Sequence, residues 1–276
     1  MFNELNENNN ENNNENNNKN NNENNSINVN DIMMILDICQ EDYNNIKSII
    51  ETIPQINEYH LNIHFFIILS SLINILNNNI NGHIIELGCA PGEITIRISK
   101  LLDLYNSDKI YHVYDSFNGI PEPKYELNIN NNFELKKHTF AYSISNYTGF
   151  LEQLNIHKMP SIHQGIFNEN NIDIYPTKIA FAIIDVCIYD SLLSIFNIIW
   201  DKLELNGIII INKYDNDYFF GIKHAIQEIF YTLDNCKYID YTYNILYNNY
   251  NILVISKIDN NNKENIIYNN SSIKII

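Results

Sequence analysis

Apolar residues recur along this chain in two rhythms, and the change from one to the other marks where its chemistry should lie. Between residues 31 and 50 the spacing is helical: Ile32, Ile35, Leu36 and Cys39, then Tyr43, Ile46, Ile49 and Ile50. Residues 61–76 are so rich in Ile, Leu and Phe that the helix predicted there must bury a broad face. At His83 the rhythm shortens. Ile84, Ile85 and Leu87 form an apolar run around Glu86 that breaks at Gly88-Cys89-Ala90-Pro91-Gly92. That pattern predicts a buried strand, a tight turn and a helix entry, because glycine accepts crowded backbone and Pro91 fixes φ. Ile94, Ile98 and Leu101 then keep the i, i+4 and i+7 positions of a helix covering the sheet.

Strand and helix continue to alternate. Residues 110–114 read as a strand ending at Asp115, which lies 27 positions beyond Gly88. That is somewhat further than the ~20 usual for the acid that holds a dinucleotide's ribose hydroxyls. Residues 117–138 are polar and turn-rich, a predicted loop or lid. A helix over 143–154 and a strand over 161–167 follow, then a polar connection through Tyr175 and Pro176. The near-continuous apolar run 179–186 marks a strand buried on both faces of a parallel sheet, and it reaches Asp185. Asp190 and Ser191 are candidate N-caps for a helix over 192–203, and Asn206-Gly207 predicts the turn into a buried strand over 208–211. Asn212, Lys213, Tyr214 and Asp215 leave that strand's end. After a helix over 221–231, the runs 238–247 and 251–257, joined by a short Asn-rich turn, predict an antiparallel hairpin. The expected fold is α/β: a doubly wound, mostly parallel seven-stranded sheet closed by a C-terminal antiparallel hairpin, with its ligand at the polar strand ends.

Composition narrows the partners. Lys+Arg 17 against Asp+Glu 33 gives a net charge of −16, which repels phosphate backbones and anionic membrane surfaces, so nucleic acid is disfavoured. The four cysteines show neither C-x-x-C pairing nor His-rich neighbours, which points away from disulfide or zinc frameworks and toward a reducing, cytoplasmic home. No basic-then-apolar leader opens the sequence, and the run 61–76 falls short of the ~20 apolar residues of a membrane span, so no membrane association is expected. Residues 1–30 are mostly Asn with scattered Glu, too poor in apolar area to offset chain entropy, and a disordered tail is expected there. A second polar tail is expected over 259–276, which leaves residues 31–258 as one domain.

A closing antiparallel hairpin and a missing middle glycine in G-x-G-x-x-G favour a class I methyltransferase sheet over a plain dinucleotide-binding one. Four stretches then resemble the macrocin O-methyltransferase (TylF-like) family of S-adenosylmethionine enzymes: HIIELGCAPGEI, YDSFNGIPEP, HQGIF, and AIIDVCIYDS followed by LNGIIIINKYD. The second is the most specific, an aromatic and a proline at fixed offsets after a strand-end acid. The resemblance implies S-adenosylmethionine as cofactor, with Glu86, Gly88 and Gly92 around its methionine end, Asp115 and Ser116 facing its ribose, and Gly165 and Phe167 near its adenine. Phe167 reads equally well as a core aromatic and Gly165 as a simple turn. The resemblance also implies an acceptor hydroxyl on a sugar or glycosylated small molecule, and a homo-oligomer. Glu86, Asp115 and Asp185 are expected to rim one shared cavity.

The departures from the family bear on chemistry. Its fourth strand ends in aspartate-x-aspartate and its fifth is followed by paired aspartates, carboxylates for a divalent cation and for a base. The matching positions here are Asp185, Cys187, Asn212 and Lys213. A hard cation takes several oxygen ligands, so no catalytic magnesium is expected. Asp185 is then the candidate base and Lys213 the charge that favours an alkoxide-like oxygen. Two alternatives stay open. One is a decayed methyltransferase fold that binds or scaffolds without catalysis. The other is an RNA ribose 2′-O-methyltransferase, since the Gly88 loop, Asp185 and Lys213 look like part of the FtsJ-type lysine-aspartate-lysine-glutamate set. No lysine lies between Lys47 and Lys100, however, and no glutamate in residues 238–257, to complete it. Among other candidates, His112 and Trp200 read as structural, His138 as near enough the polar loop to reach a substrate, and His163 as lining the sheet end. Tyr189 and Tyr214 flank the matched motifs.

Overall fold

A row of five parallel strands, extended by an antiparallel pair, organises the computed structural model, which describes residues 29–54, 62–154, 156–167, 169–214, 216–232, 236–245 and 248–258. The strands are β1 (His83–Leu87), β2 (Tyr111–Asp115), β3 (Ser161–Gln164), β4 (Ile179–Ile184), β5 (Leu203–Asn212), β6 (Cys236–Ile245) and β7 (Asn248–Lys257). Their order is β3-β2-β1-β4-β5-β7-β6, with β7 antiparallel to both neighbours. The fold class is therefore the expected one, a seven-stranded sheet with its hairpin at one edge. Strand order reverses between β1 and β4, the crevice where open α/β sheets bind ligands.

The helices are α1 (Val29–Leu36), α2 (Gln40–Thr52), α3 (Asn62–Asn77), α4 (Glu93–Leu104), α5 (Lys124–Ile129), α6 (Ile144–Gln153), α7 (Tyr189–Lys202) and α8 (Phe220–Thr232). Burial on each sheet face follows strand alternation. Ile84, Val113, Ile183 and Ile210 pack against α2, α3, α4 and α6 in one layer. Ile85, Tyr114, Ile184 and Ile211 pack against α7 and α8 in the other. Arg97 of α4 is almost wholly buried, with its guanidinium 3.8 Å from the Phe65 ring centroid and bonded to Ile53 O at 3.0 Å, which ties α4 to the end of α2 and to α3.

Several expected boundaries move. Residues 29 and 30, placed in the tail by composition, open α1. The polar segment 117–138 is not all loop, since it holds the short α5. β3 ends at Gln164, three residues before the expected Phe167. Asn206-Gly207 does not separate helix from strand: β5 already starts at Leu203, and these two residues lie within it, between its pairings at Leu203 and Ile208, with Asn206 at φ 62°. The expected tails over 1–28 and 259–276, Asp215 and residues 246–247 lie outside the described residues, and residues 248–250, expected as the hairpin turn, belong to β7.

The positions that matter for function sit where the parallel ladder runs past the strand ends. Gly88 N–H donates to Tyr114 O at 2.9 Å, Asp185 N–H to Leu87 O at 2.9 Å, and Gly165 N–H to Asp115 O at 2.9 Å. These bonds bring Gly88, Asp115, Gly165 and Asp185 to one carboxyl edge.

Candidate active site

The turn after β1 is main-chain architecture. Gly88 has φ +85°, and a Cβ there would lie 2.7 Å from Asp185 O, so conformation and space both demand glycine. The Asp115 carboxylate closes the turn from the side. Its Oδ2 accepts Cys89 N–H at 2.8 Å and Ala90 N–H at 3.3 Å, and its Oδ1 accepts Phe117 N–H at 2.8 Å. Ser116 shapes the next turn, donating to Gly119 O at 2.7 Å and accepting Asn118 N–H at 3.0 Å.

Above this floor lies a cavity bordered by Gly88, Ala90, Asp115, Ser116 and Gly165 and walled by Ile120, Phe140, Phe167, Val186 and Phe219. Its polar side is Asp185, Cys187, Ser191 and Lys213. Lys213 Nζ sits 2.5 Å from Asp185 Oδ1, with the two side chains only 13% and 3% exposed. It is also 3.7 Å from Cys187 Sγ and 5.3 Å from the Phe219 ring centroid. Burial alone would lower the Lys213 ammonium, yet the Asp185 carboxylate beside it holds it above the ordinary lysine range. It stays charged and cannot serve as a base. Burial lifts the Cys187 thiol to about 11 in spite of Lys213, so it stays protonated. Lys213 has φ 62°, a conformation non-glycine residues enter at a cost.

Two predicted site residues are not on the cavity. Glu86 points into the layer behind the glycine turn, 0% exposed, where its Oε2 accepts Thr95 Oγ1–H at 2.7 Å and the Tyr111 hydroxyl, while Oε1 has no partner. Burial raises its carboxyl to about 7. The expected trio at one rim is therefore a pair, Asp115 and Asp185: β1 alternation turns Glu86 toward the α4 layer. Gly92 likewise stands behind the turn, where a Cβ would come within 3.0 Å of the Tyr147 ring.

The remaining positions fit a nucleoside cofactor of the class I type. Open space lies over Gly165, where a Cβ would meet nothing within 4 Å. Phe167 walls that side, and Asp115 presents the carboxylate. The family model of macrocin O-methyltransferase (TylF) matches residues 68–234. The chain belongs to this family. S-adenosylmethionine is therefore its cofactor. Among solved structures, the O-methyltransferase NovP is 18% identical with a TM-score of 0.55, covering 69% of this chain and 77% of its own. The calicheamicin methyltransferase CalS11 is 15% identical with a TM-score of 0.48, over 69% and 85% of the two chains. TomG from Streptomyces achromogenes, solved with S-adenosylmethionine, is 9% identical with a TM-score of 0.44, over 68% and 88%. No curated protein matches the chain.

In this TylF-family chain the ends of β4 and β5 bring Asp185, Cys187, Asn212 and Lys213 close together in the fold. Asn212, at a position where the family resemblance leads one to expect a carboxylate, is 1% exposed, and neither its Oδ1 nor its Nδ2 has a partner. Among the described residues no group of three or more His, Cys, Asp or Glu side chains is placed to hold a metal ion. The histidines have other work. His83, His112 and His163 form a ladder across β1, β2 and β3, with ring nitrogens 2.8 and 3.0 Å apart, and His163 stacks on Tyr114 at 4.4 Å. Burial lowers His112 to about 4, which keeps the ladder neutral. His138 is exposed and its Nδ1 meets Asn118 O at 2.9 Å within the lid. Tyr189 stacks on Tyr125 at 3.8 Å, and Trp200 packs on Phe196 at 6.1 Å. Sequence reasoning missed Ile120, Phe140 and Phe219 on the cavity wall, which carry no motif of their own.

Proposed function

We propose that this TylF-family methyltransferase transfers methyl from S-adenosylmethionine to a hydroxyl of a sugar or glycosylated small molecule without magnesium. The observation that carries the reading is the buried Asp185–Lys213 pair inside the cavity, where the family places metal-binding carboxylates. When bound, the cofactor supplies an electrophilic methyl group on a sulfonium. Everything else falls to the chain's own residues. Asp115 and the Gly88 turn fix the ribose, Gly165 and Phe167 take the adenine, and Glu86 and Gly92 act from behind by holding the turn's shape. Ser116 acts through the lid turn rather than by direct contact.

At the other wall the acceptor hydroxyl lies against Asp185 and Lys213. Asp185 accepts the acceptor hydroxyl's proton as that oxygen takes up the methyl the bound cofactor would supply, with S-adenosylhomocysteine as the leaving group. The Lys213 ammonium opposes the negative charge that builds on the oxygen. Orientation supplies much of the acceleration. A positioned base contributes roughly 10²- to 10⁴-fold, and a fixed charge in a dry site roughly 10²- to 10³-fold.

The test is methyl transfer to sugar nucleotides and glycosides with and without EDTA, beside titration with S-adenosylhomocysteine. Expected are EDTA-insensitive turnover and a Lys213→Ala variant whose kcat falls about 10³-fold while it still binds S-adenosylhomocysteine. Turnover that needs magnesium overturns the metal-free mechanism. Cofactor binding with no turnover on any acceptor makes the protein a decayed scaffold.

A further inference from the structure

The lid segment 117–138 contains one buried carboxylate that neither the family motifs nor the mechanism accounts for. Glu126, in α5, is 0% exposed. Its Oε1 accepts the N–H of Tyr189, the first residue of α7, at 2.7 Å, and its Oε2 is buried without a partner. Space for it is reserved on α8: a Cβ at Gly221 would lie 1.9 Å from Glu126 Oε1. The contacts around it repeat the same three-way join. Tyr125 lies against Tyr189 with its hydroxyl 3.0 Å from His224 Nδ1 of α8, and the Phe133 ring meets Phe220 edge-on at 5.5 Å.

These three stretches carry different walls of the cavity. Ile120 and Pro121 belong to the lid, Cys187 and Ser191 flank the start of α7, and Phe219 immediately precedes α8. We propose that Glu126 is a positioning residue, a clamp that fixes the lid to the starts of α7 and α8 and so sets the width of the cavity, without touching cofactor or acceptor. The proposal rests on the reading of this cavity as the cofactor site. The same bond also caps α7 from outside its own sequence, which is why the helix begins at Tyr189 and not after Asp190 or Ser191.

The groups facing the Glu126 carboxyl are few. Burial raises its pKa, Asp190 raises it further, and the Tyr189 N–H and His224 lower it. A carboxyl raised in the clamped state binds its proton more tightly there, so the clamp is firmest at low pH and loosens as pH rises through that raised value. Glu126→Gln keeps an oxygen for the Tyr189 N–H and removes the charge. It should hold the clamp at every pH.

The test uses the full chain with trypsin, which can cut the lid at the exposed Lys124, Lys136 and Lys137. Without ligand, Glu126→Ala and Gly221→Ala should be cut there about tenfold faster than wild type, a local opening eased by about 1.4 kcal/mol. Both should bind S-adenosylhomocysteine about tenfold more weakly, while Glu126→Gln stays within about twofold on both readouts. As pH rises from the ordinary carboxylate range through the raised Glu126 value, the wild type should be cut progressively faster relative to Glu126→Gln. Wild-type cleavage rates in both disrupting variants, or a wild-type to Glu126→Gln ratio flat with pH, overturn the clamp. Faster cleavage with unchanged affinity overturns the positioning role. A wild type that binds no S-adenosylhomocysteine sinks the cofactor reading alone, and the cleavage rates still decide the clamp.

Discussion

The two halves of the cavity are built from different materials. On the β1–β2 side, the turn is fixed by Gly88 at φ +85° and by an Asp115 carboxylate that spans three backbone N–H groups. On the β4–β5 side, polarity resides in the side chains of Asp185, Cys187 and Lys213. The first half depends on the main chain and a few glycines, so changes of side chain elsewhere leave it standing. The second can be recast by two or three substitutions while β4 and β5 stay packed. That contrast is why a floor set by the main chain and a wall set by side chains can change independently of one another.

The sharpest way to break the comparison is to remove one charge from the β4–β5 wall. Lys213→Met leaves Asp185, 3% exposed, without its ammonium, which should cost about 3–5 kcal/mol of folding stability in urea denaturation. Adding Asp185→Asn should recover most of that loss, because an apolar–amide pair carries no buried charge. A single variant as stable as wild type would mean that water reaches the pair and that the wall is not the dry site proposed for catalysis.

The next effect belongs to the layer behind the cofactor floor. Glu86, wholly buried, titrates at about 7 against an ordinary 4.5. Its raised value means that its contribution to stability is complete below the ordinary carboxylate range and is lost as pH rises through about 7. At high pH the buried carboxylate therefore destabilises the fold by about 3 kcal/mol. Glu86→Gln should gain roughly that much over wild type near pH 9 and almost nothing near pH 5, read from denaturant midpoints. Equal gains at both values would show that something other than the charge is at work.

How much of this was legible in the sequence follows the same division. Gly88, Asp115 and Gly165 announce themselves because crowded turns and strand-end acids leave sequence signatures, and the structure brings them to one edge. Glu86 was misplaced because its neighbours in sequence line the edge, while strand alternation turns its own side chain into the α4 layer. Asp185 and Lys213 were legible as residue types, but their 2.5 Å contact comes from β4–β5 pairing and a left-handed Lys213 that no local pattern encodes. Glu126 was invisible. A six-residue helix in a polar segment has too few turns to show a period, and the cap it provides for α7 comes from 63 positions away. Local signals at Asp190 and Ser191 pointed to a later start for the same reason.

The smallest effect separates relic from function at Asn212. Both of its side-chain polar atoms are buried without partners, on a strand between Ile211 and the Ile252 of β7 that it pairs with. Such groups are costly, since a buried amide that has lost water and gained nothing forfeits about 1–3 kcal/mol. If the amide is a remnant of the family's carboxylate pair, Asn212→Val should stabilise the protein by about 1 kcal/mol, offset in part by imperfect packing. That corresponds to a rise of about 2–4 °C in Tm for a domain of this size. Calorimetry with and without S-adenosylhomocysteine gives the answer. A higher Tm with unchanged ligand-induced shift makes Asn212 a vestige, and the catalytic wall is Asp185 and Lys213 alone. A lower Tm, or a higher Tm with a smaller ligand shift, makes the amide a working part of the site, and the two halves of the cavity are less separable than their construction suggests.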